Sequence, residues 1–336
     1  YLLCLLGLGL PILICEYAIG RGSNKSLGSA FKMLSPEGTR WHHFRWVAYA
    51  GNYLLMMFYT MVAGWMLNYF VYSLTGQLSG KNVEQIGGEF NNMLSTPSVM
   101  IFWTLVVVVI SILVCSLGLQ KGVEKISKVM MILLFALMII MAVNSLLLDG
   151  SSEGLKFYLV PDFSKMREQG IGNVVFAAMS HAFFTLGLGI GSMEIFGSYL
   201  SRDCKLTGES INVVILDTVV ALTAGIIIIP ACFAYGINPG AGPSLLFITL
   251  PNVFNQMPGG VIWEVLFFIF MAFAALSTVI AVYENIIAMT MDLFNCSRKR
   301  ASLVNLFVIS VLCMPAVLGY NVLSGVQPLG AGTTIM

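Results

Sequence analysis

Long unbroken runs of apolar residues constrain this chain more than any other feature. Phe102–Leu117, Val129–Leu148, Val213–Tyr235 and Ile262–Met289 each reach or approach the length needed to cross a bilayer. That length is about 20 apolar residues for a helix. Of the 336 residues, 58% are hydrophobic and 10% are charged, with a mean hydropathy of +0.88. Soluble domains carry about 25% charged residues, so this chain lacks the polar shell that would cover a water-exposed core. The runs define a polytopic all-α membrane protein. A net charge of +1 without any basic tail gives no support for a nucleic-acid partner.

Hydropathy divides the chain into about eight transmembrane spans, near residues 1–20, 46–75, 98–118, 125–148, 172–200, 208–236, 260–292 and 301–320. Short loops join them, so residues 1–336 are expected to form a single transmembrane domain. Alternate loops hold thirteen of the lysines and arginines, against four in the opposite set. The positive-inside rule therefore places the Arg21–Arg45 loop in the cytoplasm. Cys204 and Cys296 lie in loops on that same reducing side, and the other five cysteines lie inside apolar spans. No Cys-x-x-Cys or Cys/His metal spacing occurs, so all seven are expected as free thiols. Tyr1–Leu13 has no basic stretch before it and Glu16 follows it, which fits a chain cut inside a membrane helix better than a signal peptide. Asn238–Gly260, on the outer side, carries no charge before Glu264 and suggests short broken helices, either a structural cap or an occluding lid.

The fifth span contains Ser180-His-Ala-Phe-Phe-Thr-Leu-Gly-Leu-Gly-Ile-Gly-Ser-Met-Glu194. Glycine costs a helix about 1 kcal/mol relative to alanine, and this stretch places three at 187, 189 and 191. Close packing of Gly187 and Gly191 on a neighbouring helix is one reading. An unwound segment with exposed carbonyls, beside Thr185, is the other. In span six, Asp217 has no basic residue within a turn. A carboxylate at depth needs a partner or a cavity. A monovalent cation would supply one, as would an interfacial position or a neighbouring hydroxyl. In span seven, Ala274, Ser277 and Thr278 share a helical face, which groups one carbonyl with two hydroxyls. Such oxygens suit a hard cation, although they equally suit bonding to their own backbone.

Tyr59 sits at mid-depth of the second span and needs a hydrogen-bond partner. Glu16 could pair with Arg21 or satisfy a neighbouring backbone, and Asp292 has no evident mate. Glu194 and Glu284 are further acids within spans, and His181 has no metal-ligand companions. No nucleophile elbow, phosphate loop or paired catalytic acids are present, and Lys121-Gly-Val-Glu-Lys reads as a charged turn. Nothing points to an enzyme.

Together these motifs resemble the neurotransmitter:sodium symporter family, of the bacterial leucine-transporter type. The resemblance is carried by Gly9-Leu-Pro11, Glu16-Tyr-Ala-Ile-Gly-Arg21, Tyr59 and Trp65. It continues through Glu153–Phe163, Ala182–Gly191, Gly242-Pro-Ser-Leu and Leu250-Pro-Asn-Val-Phe254, in the family's order. It implies a truncated bundle of the leucine-transporter inverted-repeat type. It also implies sodium-coupled symport of a neutral, apolar or aromatic amino acid across the bacterial inner membrane. By resemblance, Thr185 and Asp217 serve a sodium site, and Ala274, Ser277 and Thr278 line a second. Tyr59 bonds the substrate carboxylate, and Phe184 closes over it from outside. Leu55, Gly187, Ile190, Ala281 and Val282 shape the side-chain pocket, while Tyr199 and Asp292 match the cytoplasmic gate.

This chain departs from the leucine-transporter pattern at Asp217, where that pattern has an amide, and at Ala221, where it has a carboxylate. Animal members recruit chloride nearby. A fixed charge at Asp217 replaces that anion, so chloride is not expected and sodium is the coupling ion, with no cofactor. The small Gly187 leaves volume for a bulky apolar substrate. The resemblance covers the family's second to ninth helices, so the chain by itself is expected not to transport. A transport-inactive fragment acting only as a membrane binding protein is the alternative reading.

Overall fold

The computed structural model describes residues 1–118, 123–236 and 242–326, and among them the regular structure is helical. Lys121 and residues 238–241, which entered the expectations above, lie outside the described residues. Seven helices are long and apolar enough to span a membrane. They are α1 (Leu2–Ser23), the helix Trp41–Leu74, Pro97–Ser116, Lys125–Leu146, Leu206–Ala234, Gly260–Phe294 and Arg298–Leu318. The eighth expected span is broken into Ile171–Thr185 and Ser192–Tyr199.

In chain order the further labels are α2 (Leu27–Leu34), α3 (Phe44–Leu74), α4 (Val83–Ser95), α5 (Pro97–Ser116) and α6 (Lys125–Leu146). Then come α7 (Ser151–Leu159), α8 (Phe163–Glu168), α9 (Ile171–Thr185) and α10 (Ser192–Tyr199). The series ends with α11 (Leu206–Ala234), α12 (Leu250–Gln256), α13 (Gly260–Phe294) and α14 (Arg298–Leu318).

Local chemistry sets the ends. Asn24 closes α1 in the left-handed region at φ 50°, a conformation asparagine tolerates better than most residues. A reciprocal capping box between Asn82 and Gln85 opens α4. Asp162 accepts the backbone N–H groups of Ser164 and Lys165 at the start of α8.

The chain forms two compact units. The first comprises Tyr1–Leu54, Pro161–Leu222 and Ala281–Leu303. Its core gathers Leu5, Leu13, Tyr17, Ala182, Leu186, Leu188 and Val214. Here α1 and α10 approach closely through glycines. A Cβ on Gly197 would fall 2.7 Å from the Tyr17 Cα, and one on Gly20 would overlap the Glu194 carbonyl. Small residues thus set this seam, but they are Gly20 and Gly197 rather than the Gly187/Gly191 pair considered from sequence.

The second unit comprises Leu55–Val160, Thr223–Ile280 and Val304–Met336. Its centre is aromatic: Phe90 and Phe247 stack at 5.2 Å, and Tyr69 meets Phe247 edge-on at 4.8 Å. Trp65 contacts Phe90, Phe247 and Tyr320. The outer segment forms a π-turn at Leu245–Thr249 followed by α12, with Pro251 in its first turn. Phe247, Leu250, Val253 and Phe254 are buried, and Asn255 is tied to the Leu78 and Lys81 carbonyls. Within its unit this segment is packed as a structural cap. In α11, Pro230 crowds the preceding turn, and Ser145 Oγ donates to the Ile227 carbonyl there at 2.9 Å.

Candidate functional site

The break between α9 and α10 follows from its glycines. Gly187, Gly189 and Gly191 adopt φ of 61°, 85° and 77°, values that side-chain-bearing residues resist. Nothing lies within 4 Å of a Cβ built on Gly189. Backbone conformation, not packing, therefore requires glycine there. The Leu188 N–H turns back to the Phe183 carbonyl at 3.0 Å, and α10 restarts beyond Gly191. Groups freed by the break find side chains instead. The Gly189 N–H donates to Glu16 Oε1 at 2.7 Å, so Glu16 satisfies backbone rather than Arg21. Arg21 donates to the Cys204 carbonyl.

Asp217 on α11 is reached from the end of α9. Thr185 Oγ1 donates to its Oδ1 at 2.7 Å, and the Tyr1 hydroxyl donates to Oδ2 at 3.1 Å. The two residues singled out for the first sodium site are thus in direct contact. The acid's partners are hydroxyls, and hydroxyl oxygens can also ligate a hard cation. His181 packs its ring 4.7 Å from the Tyr1 ring and is a packing residue.

In the second unit, Ser277 Oγ and Thr278 Oγ1 donate to the Ala274 carbonyl at 2.8 and 3.3 Å. The local backbone bonding weighed from sequence is therefore present, and it keeps three oxygens grouped. The Tyr59 phenol bonds with Thr278, which supplies the partner its depth demands. Leu55 belongs to this same unit.

Tyr199 and Asp292, matched by resemblance to a gate, both lie in the first unit. Tyr199 donates to Glu284 Oε1 at 3.0 Å, and Arg298 grips both oxygens of that carboxylate at 2.7 and 2.8 Å. Bidentate geometry of this kind is the strongest form of an arginine–carboxylate pair. Asp292 does have partners: it accepts from Ser26 N–H at 2.9 Å and Ser26 Oγ at 2.7 Å, with Lys25 at 3.7 Å. Tyr199 and Asp292 are each held by their own contacts. Sequence reasoning missed Arg298 and Ser26 because helix periodicity does not pair residues across a turn or 266 positions apart. Phe184 is exposed, whereas Val282 is buried. Among the described residues no group of three His, Cys, Asp or Glu side chains is placed to hold a metal.

A membrane helix interrupted at its glycines, with a hydroxyl and an isolated acid meeting at the interruption, defines a broken-helix secondary transporter. Comparison with known proteins narrows that class. Residues 81–327 match the model of the sodium:neurotransmitter symporter family. The chain is 35% identical to the sodium-dependent transporter YhdH of Bacillus subtilis, over 96% of this chain and 70% of that protein. A sodium-dependent transporter of Haemophilus influenzae is 31% identical, over 98% of this chain and 74% of that one. A crystal structure of MhsT in complex with L-phenylalanine superposes with a TM-score of 0.89 at 38% identity. It covers 99% of this chain and 76% of MhsT. This chain belongs to the sodium:neurotransmitter symporter family. It is a multi-pass integral membrane protein of a sodium-dependent transporter class, not an enzyme class.

Proposed function

We propose that this protein couples sodium entry to uptake of a neutral amino acid with an apolar or aromatic side chain, across the bacterial inner membrane with Arg21–Arg45 cytoplasmic. The observation that carries this reading is the Thr185–Asp217 contact at the glycine break. In the first unit, Thr185 and Asp217 bind a sodium ion, whose charge offsets the cost of the acid at depth. Phe184, Thr185, Gly187, Ile190, Ala281 and Val282 contact the amino acid. In the second unit, Ala274, Ser277 and Thr278 bind another sodium ion. Phe184, Tyr199 and Asp292 serve as gates. The MhsT structure, solved with L-phenylalanine, supports an aromatic or large apolar substrate, as does the absence of a side chain at Gly187.

Because Asp217 already supplies a fixed negative charge, coupling needs no chloride. Alternating access then follows from ligands that favour one conformation over another. Competition against labelled L-phenylalanine in the full-length protein tests the substrate class. Tryptophan, tyrosine and leucine are expected to displace the label at low concentration, and a preference for glycine or a small amine would sink the reading.

A further inference from the structure

The carbonyl of Ile190 lies inside the break, directly before Gly191 with its φ of 77°. Two buried amides converge on it. Asn52 Nδ2, from α3, donates to this oxygen at 2.7 Å and to the Ala48 carbonyl at 2.8 Å. Asn285 Nδ2, from α13, donates to the same oxygen at 3.2 Å and to Asn52 Oδ1 at 3.0 Å. Both side chains are fully buried and belong to the first unit.

The donors of this arrangement are all satisfied, while Asn285 Oδ1 is buried without a hydrogen-bond partner. Each Asn amide nitrogen carries two hydrogens, and a carbonyl oxygen has two lone pairs. All four hydrogens meet acceptors, and the Ile190 oxygen takes one from each amide. Turning either amide over would set oxygen against oxygen, so the neighbours fix both orientations. The glycine-flanked backbone has the largest conformational freedom of any segment and needs an external restraint to hold one shape.

We propose that Asn52 and Asn285 act together as an amide clamp that fixes the Ile190 peptide, and with it the geometry of the break. They are positioning residues, and neither is assigned to a ligand. Loss of the clamp lets the peptide between Ile190 and Gly191 rotate and swings the Ile190 side chain. Resting on the amino-acid reading above, this sets substrate affinity without touching substrate or sodium. Asn285 adjoins Glu284, which holds Tyr199 and Arg298. One turn of α13 thereby fastens both the break and the cytoplasmic end of α10.

The test compares the full-length protein with Asn285→Leu, which keeps volume but removes the donors, and with Asn285→Ser, which keeps one. Asn52→Ser serves if the leucine variant fails to fold. Hydrogen exchange of the peptide covering residues 186–192 is read first, since it needs no ligand. The clamp predicts exchange there faster by about five-fold or more, the scale of one lost hydrogen bond, with other peptides unchanged and the serine variant intermediate. Unchanged exchange in that peptide, or acceleration throughout the protein, overturns the clamp. Labelled L-phenylalanine binding is read second. Affinity is expected to fall about ten-fold while half-saturation by sodium moves less than about two-fold. Local exchange that rises with L-phenylalanine affinity unaltered overturns the positioning role. A wild-type protein that binds no amino acid refutes the substrate reading and leaves the clamp to be decided by exchange.

Discussion

Within each of its two units this protein relies on different chemistry. The first is laced with buried and part-buried polar contacts: Thr185 with Asp217, Glu16 with the Gly189 N–H, Glu284 with Arg298, and the paired asparagines. The second centres on packed aromatic rings, Phe90 stacked on Phe247 with Trp65 and Tyr69 edge-on to them. Its polar contacts include local ones, such as Ser277 to Ala274 three residues away, and longer ties such as Ser145 to Ile227 and Asn255 to Leu78. Polar groups at membrane depth are expensive, and they persist where ions or substrates must be handled. Aromatic packing carries no such cost and builds rigid frame. The difference teaches that mutations at the polar contacts of the first unit should alter coupling, and those in the aromatic centre of the second should alter stability.

The sharpest way to break that contrast is Asp217→Ala. Removing this acid orphans the Thr185 hydroxyl and the proposed sodium together, a loss on the scale of about 3–5 kcal/mol. Sodium affinity is expected to fall at least about 100-fold with the unfolding temperature in detergent nearly unchanged. Retained sodium activation would remove Asp217 from the coupling site. Next comes Phe247→Ala, which truncates the ring stacked on Phe90. A stability loss of about 3 kcal/mol is expected, seen as a lower melting temperature, with sodium half-saturation unaltered in the folded fraction. A change in sodium response there would blur the division between units.

Gly189→Ala sharpens the comparison further. The site has open space for a methyl group but a φ of 85°. Its cost is backbone strain alone, about 1–2 kcal/mol, and it should appear as weaker amino-acid binding. Normal binding would mean that the break tolerates another conformation.

The smallest effect lies outside the membrane, at the Lys81–Glu89 pair of the second unit. The hydrogen bond from Lys81 holds the Glu89 carboxyl below its ordinary range, with desolvation opposing. Its contribution is present above the unfolded value of about 4.3. It is lost as pH falls through the lower folded value. Glu89→Gln should cost below about 1 kcal/mol at pH 6, and progressively less as pH falls through the folded value, measured by thermal unfolding. A difference that does not shrink as pH falls would assign the effect to shape rather than charge.

Much of the fold was legible because apolar run length and positive loops act locally along the chain. The expected spans fall within a few residues of the helices, as with 125–148 against Lys125–Leu146. The break was legible because three glycines so close together have few physical uses. Asp217 stood out through its cost, although its Thr185 partner came only with the family resemblance. The asparagine clamp was invisible. Asn52 and Asn285 are single amides 233 positions apart, in helices whose periodicity says nothing of which backbone group they meet. Nor could composition separate the Gly20/Gly197 seam from the glycines of the break, since only φ and neighbouring atoms distinguish the two uses.

Equilibrium binding of labelled L-phenylalanine to the full-length protein, titrated with sodium in chloride-free gluconate medium, tests the central claim most directly. Saturable binding that rises with sodium and is indifferent to added chloride is the predicted result. Binding that ignores sodium, or that appears only when chloride is restored, would contradict it.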